Sequence, residues 1–377
     1  MLNLLFDLIA TQPNASGKRH GGGKYGEIIF KRIIQLGYKP VCYYSGSKWL
    51  NPEILSLTKD NKLPLYDIDK ESIEDIVKKE EIDKIYSCLP TKRETGIKNC
   101  KVVGTIHGLR DIELPFDSFY WKYKTNYKIK NIIKWYLKKW FHCKRWESSY
   151  KELGNYSNFS FITVSNHSAM AFKSYFPNYK DKEIRVFYSP STSSEIPIME
   201  TKRNDKYFLM VSGNRWEKNN LRAIIALDRL FSYGYLRDYS AIITGVSDAK
   251  IYKYKIVNSD KFTFAGYVDD NDLEQLYHDA YAFIYPSLNE GFGYPPLEAM
   301  RYGKPVLASP FTSIPEICQG AALYFNPYSI EEIMNRILYI TDDRFYQEVS
   351  NLSVVQYAKI TAKQSKDLDE FIEYLFH

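Results

Sequence analysis

Two glutamates eight positions apart, Glu290 and Glu298, frame the opening of the stretch EGFGYPPLEAMRYGKPV at 290–306, with Gly291, Gly293, Pro295 and Pro296 between them. Prolines suit the first turn of a helix, where a missing amide donor costs nothing, and Gly303 suits the left-handed position that ends one. The stretch therefore predicts a loop that delivers a helix N-terminus just after the apolar run Ala282 to Tyr285. Free N–H groups and partial positive charge gather there, and a phosphate approaches closely where Gly291 and Gly293 carry no side chain. Glu298, about one turn into that helix, is placed to accept two hydrogen bonds from a vicinal diol such as a ribose, and Glu290 to accept from sugar hydroxyls. A plainer role fits the same residues: Glu298 complementing the helix dipole and Glu290 a loop charge.

Further candidates lie elsewhere. In VSGNRWEKNNLRAII at 211–225 a strand runs through Gly213 into a helix, with Arg215 and Lys218 in the loop. Cations at a helix entrance do little for the helix and make more sense facing an anion, although solvated surface is the simpler alternative. In VVGTIHGLRD at 102–111, His107 leaves the end of an apolar strand, the edge at which open α/β sheets bind ligands. It could orient a sugar or be a hydrogen-bonded structural histidine. The other five histidines show no HExxH or other ligand spacing. Asp67 with Asp69, and Asp270 with Asp272, form DxD pairs that precede helical patterns, where capping of free amides is the favoured reading over metal binding.

The elements that must position these residues alternate between strand and helix. Strands are expected at Leu2 to Ile9, Val41 to Tyr44, Lys84 to Cys88, Val102 to Ile106 and Phe161 to Ser165. A second set follows at Tyr207 to Val211, Ala241 to Thr244, Phe262 to Phe264, Ala282 to Tyr285, Val306 to Ala308 and Ala322 to Phe325. Such alternation predicts parallel sheets. Between the first strand and a helix expected from about Glu27 lies the loop TQPNASGKRHGGGKYG, in which Gly21, Gly23 and Gly26 spell GxGxxG. A dinucleotide fingerprint needs an immediate turn after its strand and an acidic ribose ligand after the second strand, and neither is present. The polar stretch 191–206 reads as a linker. The expected organisation is an N-terminal α/β domain at 1–190, that linker, a C-terminal α/β domain at 207–360 and a helix at 361–377 that packs back on the N-terminal domain.

Length and composition agree with two domains: 377 residues, 45% apolar, with 33 tyrosines. Five widely spaced cysteines without a CxxC pair fit a reducing cytosol. The N-terminus has no basic start, and no stretch reaches about 18 uninterrupted apolar residues, so neither secretion nor membrane crossing is expected. One insert stands apart. Residues 115–155 hold ten Lys or Arg against Asp117, Glu147 and Glu152, an excess of seven that exceeds the +6 of the whole chain. As a helix, 130–146 places Lys130, Lys134, Lys138 and Arg145 opposite Ile132, Ile133, Tyr136, Leu137 and Trp140. This pattern suits contact with anionic lipid, a solvated helix packed on its own domain, or a nucleic-acid patch.

Taken together these residues resemble a family 4 retaining glycosyltransferase of group 1 type. The segment FAGYVDDNDLEQLYHDAYAFIYPSLNEGFGYPPLEAMRYGKPVLAS, then SIPEI and AALYFNP, carries the specific likeness over 264–327. The likeness extends more loosely to the glycine loop, the strand ending in His107, TVSNHS at 163–168 and the Gly213 to Leu221 loop. It implies the α/β GT-B architecture, two Rossmann-like domains whose parallel sheets face across a cleft. It also implies transfer of a hexose from a UDP- or GDP-linked sugar to a glycan or lipid-linked glycan, with the anomeric configuration retained. No catalytic metal or cofactor and no nucleic-acid partner are expected. Glu298 would bind the ribose, Glu290 would face the donor sugar, and Gly291, Phe292 and Gly293 would contact sugar and diphosphate. Arg215 and Lys218 would neutralise the leaving diphosphate, Gly22 and Gly23 would close over it, His107 would lie near the transferred sugar, and Tyr267 and Val268 would meet the base. Departures are visible: Arg215 and Lys218 are three apart where many relatives place five residues between, Lys24 stands where a small or aliphatic residue is usual, and VFYSPSTSS at 186–194 lacks a common Asn-Gly pair. The implied setting is bacterial-type surface polysaccharide or glycolipid assembly in the cytoplasm, peripheral to the inner face of the membrane; the 115–155 insert is unlike a generic member and could contact the membrane or help recruit a lipid-linked acceptor. A GT-B epimerase or phosphorylase is the alternative, and a non-catalytic lipid or nucleic-acid binder a more remote one.

Overall fold

A computed structural model describes residues 2–14, 21–94, 97, 100–115, 117–123, 129–154, 156–191 and 206–377. The linker expected at 191–206 lies outside the described residues except at its two ends. The chain forms two compact units, one from Met1–Leu109, Lys144–Thr192 and Ala362–His377, the other from Arg110–Cys143 and Ser193–Thr361.

The first unit holds a seven-stranded sheet of β1 (Leu4–Asp7), β2 (Val41–Tyr44), β3 (Leu65–Asp67), β4 (Lys84–Ser87), β5 (Lys101–Ile106), β6 (Phe159–Thr163) and β7 (Arg185–Val186). The order is β3-β2-β1-β4-β5-β6-β7, with every pairing parallel. The central strands β1 and β4 are buried along their whole length, as a parallel sheet covered by helices requires. The helix expected from Glu27 begins six residues earlier, as Gly21–Gln35. Its glycines permit close packing on the segment after β4: a Cβ on Gly26 would lie 2.6 Å from the Cys88 sulfur, and one on Gly22 2.9 Å from Leu89. Gly22 and Gly23 are thus helical rather than part of an open loop. The last part of the long helix Asp343–Phe376 completes this unit. Asp369 takes a two-pronged pair with Arg32, Asp367 accepts from the Tyr188 amide, and Phe371 packs on Tyr86 and Phe187.

The second unit holds six parallel strands, β8 (Lys206–Met210), β9 (Tyr239–Thr244), β10 (Phe262–Gly266), β11 (Ala282–Tyr285), β12 (Val306–Ala308) and β13 (Ala322–Tyr324), in the order β10-β9-β8-β11-β12-β13. Phe208, Ile224, Ile284, Leu307, Ile333 and Ile337 centre its core. The sequence expectation placed the 115–155 insert with the N-terminal domain, but residues 110–143 belong to the second unit. Arg222 donates from both terminal nitrogens to Asp117, at 2.7 and 3.0 Å, with both side chains buried and the guanidinium 3.6 Å over the Phe119 ring. Tyr123, also buried, accepts from the Leu221 amide at 2.9 Å. A buried bidentate pair separated by 105 positions fixes where the strap goes, and hydrophobic periodicity carries no trace of it.

Candidate active site

In the second sheet the strand order reverses between β8 and β11, the switch point at which loops leaving strand C-termini diverge and make room for a ligand. The loop after β8 carries Arg215 and Lys218, and the loop after β11 carries 287–293. Asn219, in the left-handed conformation at φ 60°, ends the short turn Trp216–Lys218, and its amide donates to the carbonyls of Pro286 and Pro327. The two loops are thereby tied together. The following turn is closed by the Glu290 amide on Thr312 and the Ser313 hydroxyl on the Glu290 carbonyl.

These ties bring Lys218 and Glu290 into one buried cluster. Glu290 Oε1 accepts from Lys218 Nζ, from the Tyr285 hydroxyl at 2.6 Å and from the Ser287 hydroxyl, while Lys218 Nζ also donates to Tyr285 at 2.8 Å. Glu290 Oε2 lies 3.6 Å from Arg110 Nη2. Burial pushes the Glu290 carboxyl up, but the charges of Lys218 and Arg110 and the hydrogen bonds outweigh it and hold it down at about 2. Arg215 lies in the same loop, yet its guanidinium is held by Glu217 through Nε and Nη2 at 2.8 and 2.6 Å.

Glycine conformation shapes the turn after Glu290. Gly293 sits at φ 114°, a conformation that disfavours a side chain, directly before the helix Tyr294–Arg301. Pro295 and Pro296 occupy the first turn, and Gly303, at φ 64°, follows the helix end as the sequence required. Phe292 is buried, with its ring 5.2 Å from that of Tyr294. Gly291 completes the turn between Glu290 and Phe292. Glu298 lies one turn along the helix, 3.8 Å from Arg301. Tyr267 is 92% exposed beyond the end of β10, with Val268 half-buried beside it.

Gly22, Gly23 and His107 belong to the first unit. His107 Nε2 donates to the Cys88 carbonyl at 2.9 Å, and its ring stands edge-on to Tyr25 at 4.6 Å. The first unit also buries a carboxylate pair. Asp7 accepts from the Ile9 amide and the Ser87 hydroxyl, and Glu94 accepts from Tyr43 and Thr91. Arg93 stands 3.9 Å from Asp7 and 3.5 Å from Glu94. Burial, and then the charge of Glu94, raises the Asp7 carboxyl to about 7.

The DxD pairs differ from expectation. Asp67 closes the turn after β2 by accepting from the Gly46 and Asp69 amides, Asp69 accepts from the Ser47 amide, and Ser72 caps the next helix. Asp270 and Asp272 sit in the first turn of Asp270–Asp279, whose cap is Asp269. Sequence reasoning missed Tyr285, Ser287, Asn289 and Arg110 as members of the site. Tyr285 ends an apolar run in which its hydroxyl gave no signal. Arg110 stands three positions after His107 in a motif already singled out, and that proximity was the available clue.

Residues 193–359 match the family model described as "Glycosyl transferases group 1". The O-antigen chain mannosyltransferase RfbU of Salmonella typhimurium is 34% identical over 154 residues, a match that takes in 40% of this chain and 42% of RfbU. Among solved structures, a glycosyltransferase from Rickettsia africae superposes with a TM-score of 0.68 at 18% identity, covering 99% of this chain and 98% of that one. Anabaena HepE, crystallised with UDP and glucose, superposes with a TM-score of 0.62 at 15% identity over 100% of this chain and 99% of its own. The chain thus carries the region of the group 1 glycosyl transferases at 193–359, within two parallel-sheet α/β units of the GT-B fold.

Proposed function

We propose that the chain is a retaining, metal-independent glycosyltransferase of surface-polysaccharide assembly, moving a hexosyl group from a nucleoside-diphosphate sugar to a glycan or lipid-linked glycan hydroxyl. The observation that carries this reading is the Lys218–Glu290 cluster beside the 290–293 turn, an ionised carboxylate and fixed cations next to a helix start. The bond from the anomeric carbon to the diphosphate breaks as a bond to the acceptor oxygen forms on the same face, and the acceptor proton passes to a diphosphate oxygen. Negative charge grows on the diphosphate, where cations already in place stabilise it without reorganising. Glu290, kept ionised, accepts from sugar hydroxyls, Glu298 from the ribose, and Gly291, Phe292 and Gly293 approach the diphosphate by backbone. Tyr267 and Val268 are assigned to the base, His107 to the transferred sugar, and Gly22 and Gly23 to the diphosphate by resemblance alone. The likeness to RfbU makes a mannosyl donor the first to try, and the structure of HepE with UDP-glucose makes that donor the second.

Incubation with GDP-mannose, UDP-glucose and a panel of glycan acceptors tests the reading. Release of nucleoside diphosphate coupled to an acceptor-linked product, with the donor's anomeric configuration by NMR, is expected; inversion would remove the retaining assignment, and no turnover with any donor would remove the reading. Acceptor-free conversion to an epimeric nucleotide sugar would favour the epimerase.

Among the described residues no helix is long and apolar enough to cross a membrane. The helix Ile129–Gly154 instead exposes a stripe of Ile133, Leu137, Trp140 and Phe141, at 59, 54, 53 and 63%. This stripe, within a segment of ten basic and three acidic residues, supports peripheral contact with anionic lipid. Co-sedimentation with phosphatidylglycerol vesicles should fall several-fold on Leu137→Glu with Trp140→Glu, and unchanged pelleting would remove the contact.

A further inference from the structure

The four-residue helix Arg110–Glu113 opens the strap that crosses the second unit, and it docks on the Asn289–Glu290 turn at two points. Glu113 Oε2 accepts from Asn289 Nδ2 at 3.0 Å, and Arg110 Nη2 stands 3.6 Å from Glu290 Oε2, an ion pair too long for a hydrogen bond. Residues three apart on one helix face therefore meet two consecutive residues of the loop.

The three cations around Glu290 differ in what their hydrogen-bonding groups already hold. Lys218, 5% exposed, is engaged by Glu290 Oε1 and Tyr285. Arg215 gives two of its nitrogens to Glu217. The Arg110 side chain makes no hydrogen bond among the described residues, and its Nε is buried without a partner. A guanidinium offers five N–H donors in a planar fork suited to two oxygens of one anion. Leaving a buried donor unmet is costly, and arginine is strongly drawn to phosphate geometry. Lys218, Arg215 and Arg110 gather about the carboxylates Glu217 and Glu290, with Glu113 held by Asn289 beside them. Arg110 remains 38% exposed, open enough to reach a ligand.

We propose that Arg110 is a substrate-contacting residue of this site, its guanidinium gripping the diphosphate of the nucleotide sugar and of the nucleoside diphosphate that leaves. The inference rests on the glycosyltransferase reading and adds a residue from outside the family-matched region to the donor site. The grip is also a link: a donor that engages Arg110 bears on the strap anchored by Asp117 and Tyr123.

The test compares nucleoside diphosphates with monophosphates on the full chain. UDP, GDP, UMP and GMP are titrated calorimetrically into wild type, Arg110→Gln and Arg110→Lys, with thermal melts of each. For whichever diphosphate binds, Arg110→Gln should weaken binding about 10- to 100-fold, the range for losing hydrogen bonds to a charged group, while the matching monophosphate changes less than about threefold. Arg110→Lys, which keeps the charge without the fork, should fall between, and it serves as the reading if Arg110→Gln does not fold. Equal weakening of mono- and diphosphate would reduce Arg110 to a support for the loop and overturn the proposal. So would unchanged diphosphate affinity in Arg110→Gln. If wild type binds neither diphosphate, the glycosyltransferase reading falls and this inference with it; if wild type binds and Arg110→Gln binds equally, only Arg110 is lost.

Discussion

Each unit buries a carboxylate near the C-terminal end of a central strand, and the two are held in opposite states. Asp7, the last residue of β1, shares its surroundings with a second buried carboxylate, Glu94, and one arginine, so its proton is retained up to about pH 7. Glu290, five residues beyond β11, faces Lys218 and Arg110 and keeps its charge down to about pH 2. Depth is similar, with Asp7 at 1% and Glu290 at 6% exposure. The balance of neighbouring charge, rather than burial, decides whether such a group stores a proton or serves as a fixed anion among cations. Only the second arrangement sets fixed cations beside a helix start, and the contrast can be broken at either end.

The largest effect is expected from Lys218→Met. It strands a buried charge on Glu290 and should cost about 3–5 kcal/mol in urea denaturation, with donor turnover lost altogether. A variant of near wild-type stability would show that Glu290 does not depend on this cation. Next comes Asp7→Asn. The folded-state pKa of Asp7 is raised, so its contribution to stability is fully present below about pH 4 and is lost as pH rises through about 7. Wild type should lose on the order of 3 kcal/mol between pH 5 and pH 8, and the variant should show a flatter profile over that window. Parallel profiles would erase the contrast. Glu290→Gln tests the opposite sign. A carboxylate depressed from 4.5 to about 2 contributes stability that is present above pH 4.5 and lost as pH falls through 2. The variant should therefore be about 1–3 kcal/mol less stable than wild type at pH 7, and the gap should close toward pH 2. Smallest is Tyr123→Phe, which removes the acceptor of the Leu221 amide and should cost about 1 kcal/mol by chemical denaturation. That neutral hydrogen bond sets the scale against which the charged variants are read; a loss as large as that of Lys218→Met would mean that the strap, rather than the charge cluster, dominates.

What could be read in the sequence divides along the same physical line. Buried parallel strands such as β11 and β12 announce themselves as short apolar runs, and their ends match the expected Ala282 to Tyr285 and Val306 to Ala308. The edge strands β3 and β7, three and two residues long, have no such run and were not anticipated. The glycines of 21–26 read as a loop because glycine usually punctuates, yet here Gly22 and Gly26, without side chains, let a helix press on Leu89 and Cys88. The type and spacing of Glu290, the glycines and Glu298 pointed to an anion site from sequence alone. The hydroxyls of Tyr285 and Ser287 were invisible, since an apolar run and a turn serine carry no sign of what they will face. Arg110 and Asp117 were legible only as charges; their partners lie 180 and 105 positions away, a pairing no local pattern encodes.

The strap has a further consequence for how such chains can be recombined. A crossover at residue 193, the natural joint by family match, would take the strap from one parent and the residues it grips from another. Asp117 and Arg222 would then have to match across the joint, as would Glu113 with Asn289 and Arg110 with Glu290. Hybrids that break those pairs would carry an unmatched buried arginine or carboxylate in an otherwise intact sheet. The compatible unit of exchange is the 193–361 segment together with residues 110–143, two stretches of gene that must travel as one.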